Sequence, residues 1–190
     1  WFLPPVIWPD DQQDFISILK KVFKKGARNF VINSFWQLSF FQNKIEEYNI
    51  WAGPFCNICN RKTVNFLEKN GVSGAIVSPE LGKDDILNIP KFSKLPLGVL
   101  IKGMWPLAIS RIVPEDLSLN KPFWSPKGEE AWVTRNGGDF WIYPNWEFDI
   151  TEKREELIRA GYSLFLEMRD HIPENVNIKR RPGLWNWDVG

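Results

Sequence analysis

One phrase occurs three times in this chain: an amphipathic helical stretch, a glycine, then a short apolar run rich in β-formers. It reads DDQQDFISILKKVFKKG before ARNFVIN, RKTVNFLEKNG before VSGAIVSPE, and TEKREELIRAG before YSLFLEMRD. In the first copy Phe15, Ile18, Leu19, Val22 and Phe23 fall on one helical face, with Asp10 placed to cap the helix and Gly26 to end it. The polar face carries Lys20, Lys21, Lys24 and Lys25, a solvated face in the first instance and a phosphate-attracting one only in the second. The marking glycines Gly26, Gly71 and Gly161 stand 45 and then 90 residues apart, as related βα units would with one altered unit between them. Further strand-like runs lie at LPPVIW (3–8), NIWAG (49–53) and LPLGVLI (95–101). Together these predict an α/β fold with about six parallel strands and helices between them, layered or barrel-like.

Between Met104 and Trp146 the pattern breaks. Within it, NGG stands between the aromatic-rich runs AWVTR and DFWIY, a two-strand hairpin signal, so residues 104–146 are expected to be an insertion with a hairpin. The tail, about 172–190, holds NIKRRPGLWNWDVG and is expected to pack as an extended arm. At 190 residues and 44% hydrophobic side chains, one domain is the expectation. Six strands are two short of a closed eight-stranded barrel, and the chain opens on Trp1 in place of methionine, so the missing units are expected before it. A piece of this kind exposes sheet edges, which a homodimer, a preceding N-terminal domain or the tail would cover.

Charge excludes some functions. Lys and Arg number 24 against 23 Asp and Glu, so no overall field recruits nucleic acid or an anionic membrane. The longest apolar stretch, Gly98 to Val113, contains Lys102, Pro106 and Arg111 and falls short of a membrane span. Two cysteines do not make a disulfide framework, and a cytoplasmic setting is expected. The 11 tryptophans are read as packing groups before they are read as ligand platforms.

The stretch GPFCNICN sets Cys56 and Cys59 three positions apart where a strand should turn into a helix. A structural zinc site needs four ligands, this pair supplies two, and His171 is the lone histidine, so no metal is expected; zinc or an iron–sulfur cluster is the minor alternative. A thioredoxin-like redox pair needs a different order of elements, and a cysteine nucleophile with His171 as base lacks an evident orienting group. The plainer reading is a βα turn in which Asn60 caps the helix and both thiols are small buried groups. No GxSxG, HExxH or phosphate-loop motif occurs.

The order of these phrases resembles peptidase family U32, the collagenase-like proteases, over roughly residues 1–170. The resemblance is carried by GPFCNICNRKTVNFLEKNGVSGAIVSPELGKDDI, then LPLGVLIKG, a hairpin, and GYSLFLEMRD. It implies a partial TIM-barrel-like domain and hydrolysis of peptide bonds in protein substrates. It places Asn57 and Asn60 in a polar turn, Glu80 at an acidic turn, Lys102 and Gly103 where the family has His-Gly, and Glu167 and Arg169 at a Glu-Arg strand end. On that reading Glu80 or Glu167 is the general base, Lys102 or Arg169 stabilises an oxyanion, and Cys56, Asn57 and Asn60 contact substrate. The bland alternative is an ion network of Lys102, Glu167 and Arg169 that closes the barrel. The family signature departs here: Gly98, Leu100 and Met104 replace a glutamate, a phenylalanine and a small residue, Arg111 a glycine, and Pro106 and Val113 two cysteines. Two other functions follow: a non-catalytic module binding peptide, RNA or a partner domain, and part of an iron–sulfur-dependent hydroxylase whose cluster cysteines lie elsewhere.

Overall fold

The computed structural model describes residues 1–42, 44–179 and 187. The first phrase folds as helix α1, Gln12–Lys24, and strand β1, Asn29–Ile32. Leu19 and Val22 of α1 are buried, but Ile18 is 56% exposed and so lies off the core-facing stripe. The expected cap at Asp10 does not form, because Pro9–Asp11 already make a turn of 3-10 helix that runs into α1, and Asp11 at the helix start makes no side-chain capping bond. Gly26 leaves the helix at φ +86°, a left-handed conformation that glycine adopts without a Cβ penalty.

The chain continues through β2, Asn49–Ala52, α2, Arg61–Lys69, β3, Gly74–Ile76, α3, Lys83–Asn88, and β4, Leu97–Gly103. Then come β5, Ala108–Ser110, β6, Pro122–Trp124, β7, Glu130–Asn136, β8, Asp139–Pro144, and β9, Phe148–Asp149. Helix α4, Arg154–Ala160, and β10, Tyr162–Glu167, complete the third phrase.

One sheet has the order β1-β2-β3-β4-β10, with β9 antiparallel to β4. β1 to β4 are mutually parallel. β10 also runs parallel to β4: Ser163 bonds at Leu97, and the Met168 N–H reaches the Lys102 carbonyl, so the pairs climb together. Among the described residues five parallel strands are therefore present where six were expected. LPPVIW is the missing one: Phe2 alone bridges Val31, because Pro4 and Pro5 bring no N–H to a ladder. The sheet has β1 and β10 at its ends, so no closed barrel forms among the described residues.

The chain divides into two units. The first, Trp1–Leu100 with Glu155–Phe165, is a parallel sheet with helices. Its core includes Phe30, Ile32, Ile50, Ile58, Leu67, Ile76 and Leu97, and one end is an aromatic cluster in which Phe30, Phe41 and Tyr48 surround Phe23 at 5.0–5.6 Å between ring centroids. The second unit, Ile101–Arg154 with the residues from Leu166, holds an antiparallel sheet of order β5-β8-β7-β6. The expected hairpin is β7–β8: Asn136 pairs with Asp139 across Gly137 and Gly138, and Gly137 takes φ +62°. Strands β5 and β6, three residues each, widen it to four strands. Of the expected tail arm, Lys179 bridges Trp146 in parallel; residues 180–186 and 188–190 lie outside the described residues.

Candidate functional site

Parallel strands deliver their C-terminal ends to one edge of a sheet, and in α/β folds the loops at that edge carry ligands and chemistry. In the first unit that edge is formed by Asn33 after β1, the GPFCNICN turn after β2, and Ser78 to Glu80 after β3. Pro54–Cys56 make one turn of 3-10 helix, and Asn57 then takes φ +50°, which asparagine tolerates better than most residues. The two cysteines diverge. Cys56 is buried and its Sγ donates to the Ile32 carbonyl at 3.5 Å. Burial pushes its thiol up to about 12, against a smaller opposing effect from a backbone hydrogen bond at Gly53.

Cys59 is half-buried, and its Sγ meets Asn57 Oδ1 at 2.9 Å. Burial raises this thiol too; a hydrogen bond with Ser78 opposes the rise, and the charges of Glu80 and Asp85 add to it. Burial first, and the charges of Glu80 and Asp85 after it, disfavour the thiolate, so this turn is a poor nucleophile site at neutral pH. Asn60 caps α2 as expected: its Oδ1 accepts from the Thr63 N–H at 3.0 Å and from Thr63 Oγ1 at 3.3 Å. Glu80 is exposed, and its backbone N–H donates to Ser78 Oγ at 3.3 Å. Thus Asn57, Cys59, Ser78 and Glu80 form one connected group, of which sequence reasoning named all but Ser78. Ser78 was visible as the polar residue that ends the GAIVS run.

In the second unit Lys102 projects near the end of β4. Its Nζ lies 3.2 Å from Asp149 and 3.7 Å from Glu147, and Lys102 and Asp149 are register partners between β4 and β9. The hydrogen bond to Asp149, with the charges of Glu147 and Asp149, holds the Lys102 ammonium above its ordinary value. Burial pushes the Asp149 carboxyl up, but bonds from Thr151 Oγ1, the Thr151 N–H and Lys102 outweigh it and leave the group below the usual carboxylate range. Asp149 and Glu147 carried no signal in the sequence, because their pairing with Lys102 spans more than forty residues. Glu167 and Arg169 pair with each other at 3.8 Å and are exposed. Asp170 beside them is different: burial raises its carboxyl, while a hydrogen bond from Tyr143 opposes the rise.

The model of peptidase family U32 matches residues 6–113. The chain belongs to peptidase family U32. That stretch of the U32 chain runs from before α1 through β5 and includes Cys56, Asn57, Asn60, Glu80 and Lys102, while Glu167 and Arg169 lie beyond it. No curated protein and no solved structure matches the chain. The iron–sulfur cluster carried by some relatives does not fit the residues at this turn: among the described residues no group of three or more His, Cys, Asp or Glu could hold a metal, and Cys56 and Cys59 bond to different partners. No helix among the described residues is long and apolar enough to cross a membrane.

Proposed function

We propose that this U32 family member is a peptidase acting on peptide bonds of protein substrates. The observation that carries the reading is the family match over residues 6–113, which contains the whole β2 turn and the β3 turn with Glu80. Glu80 is the proposed general base: it is an exposed residue at the C-terminal edge of a parallel sheet, on a backbone bonded to Ser78. Cys56, Asn57 and Asn60 shape the neighbouring turn, with Asn57 the side chain best placed to meet substrate. Lys102, Glu167 and Arg169 belong to the second unit and are given no step in this reading. In the same reading the parallel sheet is an arc of the TIM-barrel-like fold implied by the family, and two unpaired thiols suit a cytoplasmic setting.

Incubation with gelatin or an unfolded protein should release peptides, and Glu80→Gln should slow release by about 100-fold with an unchanged circular dichroism spectrum. Equal rates from the native chain and the variant would remove Glu80 from the chemistry. Binding without any release would sustain the second reading, a peptide-binding module. The observation favouring that reading is that the charge of Lys102 is already met by two carboxylates.

A further inference from the structure

The second unit carries a row of stacked rings on one sheet face. Trp132 of β7 and Tyr143 of β8 are register partners with centroids 4.7 Å apart and planes 24° apart, and Trp141 continues the row at 6.2 Å from Tyr143. Directly paired strand residues share a face, so these rings form one surface. What lies on it is the chain's own residues Pro173–Lys179. Val176 joins Met104, Trp132 and Tyr143 in a buried cluster, and Ile178 packs against it. The Lys179 N–H donates to the Asn145 carbonyl at 2.6 Å, and Lys179 Nζ meets the Glu130 carboxylate, which is itself held by Asn145.

This segment is lightly fastened. From His171 to Lys179 only Pro173 and Val176 are buried. Two polar atoms of this unit are also unpaired: Trp132 is 0% exposed, yet its Nε1–H has no acceptor among the described residues, and the buried Asp170 Oδ2 likewise has no partner among them. Buried polar groups are nearly always satisfied, so these two atoms mark places where the packing of this unit leaves hydrogen-bonding capacity unused.

We propose that this aromatic face is a binding surface for a polypeptide segment bearing an apolar residue three positions before a lysine, and that residues 173–179 occupy it as an internal competitor. The apolar side chain enters the cluster of Met104, Trp132 and Tyr143, the backbone bonds at Asn145, and the lysine pairs with Glu130. The surface goes beyond hydrolysis, since it binds polypeptide whether or not a bond is cut.

The test uses the full chain and a synthetic peptide of its own residues 173–179, PENVNIK. On the native chain, excess peptide should speed hydrogen exchange at the Lys179 amide while the amides of β7 and β8 stay protected. Lys179→Ala should bind labelled peptide about tenfold more tightly than the native chain, because a tethered competitor acts at an effective concentration of order millimolar. Glu130→Gln in that background should abolish the gain. Unchanged exchange at Lys179 under millimolar peptide, or equal affinity in the native chain and Lys179→Ala, overturns the proposal, and the exchange measurement needs no variant to fold. No release of peptides from gelatin, with the Lys179 amide still exposed by added peptide, would sink the hydrolytic reading and leave this surface standing. Cleavage with the Lys179 amide still protected would do the reverse.

Discussion

At Gly53 the constraint is a neighbouring oxygen, not a backbone angle. Its φ of −82° is open to any residue, but a Cβ there would stand 2.1 Å from Asn33 Oδ1 and 2.8 Å from Val31 Cγ1. Asn33 cannot simply swing away: its Nδ2 donates to the Leu3 carbonyl at 2.7 Å, its backbone N–H donates to Gln37 Oε1 at 2.9 Å, and both side chains are buried. Gly53→Ala should therefore lose about 2–4 kcal/mol, the range of overpacking plus a broken buried hydrogen bond. Urea unfolding would measure it, and the loss should shrink in an Asn33→Ala background, since the two residues then no longer collide. An additive pair would show that the two sites do not touch. Since Asn33, Gly53 and Cys56 all lie at the strand-end edge, a loss here should also disturb the turn that presents Asn57.

Elements divide into those announced by local chemistry and those made by distant pairing. The helix–glycine–strand phrases were legible because a helix must stop where a residue turns left-handed, and Gly26, Gly71 and Gly161 do so at φ +86°, +77° and +116°. The hairpin was legible for the same reason at Gly137. LPPVIW misled because its apolar content outweighed two prolines, and β5, β6 and β9 escaped notice because two or three residues show no period. The β4–β9 pairing has a consequence for pH. Asp149 is lowered when folded, so its contribution exists above the ordinary carboxyl value of 3.8 and fades as pH falls through the folded value. Lys102 is raised, so its contribution exists below 10.5 and fades as pH rises through the folded value. Lys102→Met should thus lower the urea midpoint at pH 7, with the difference vanishing near pH 2 and in high salt, because the group is exposed and screened. A difference that persisted at pH 2 would mean that the lysine stem, not its charge, supports the strand end.

On the scale of the whole molecule, family membership and fold class rest on different amounts of chain. The family match ends at residue 113, while the antiparallel sheet, α4 and β10 lie largely or wholly after it. Chemistry inherited from relatives must therefore be supported by residues that this chain has. For a four-cysteine cluster it has two, and they diverge: Cys56 Sγ points to the Ile32 carbonyl and Cys59 Sγ to Asn57. Binding iron at Cys56 would also require removing a proton that burial holds up to about 12, and moving a side chain packed against β1. The 190-residue chain, reconstituted anaerobically with ferrous iron and sulfide, should gain no visible absorption band and retain less than about one iron per chain after desalting, since a cluster iron takes a full set of thiolate ligands. If iron and sulfide were retained, and lost in Cys56→Ser and Cys59→Ser, the turn would have to open and share a cluster between chains. Retention would then rise with protein concentration, whereas a site within one chain would show no such dependence.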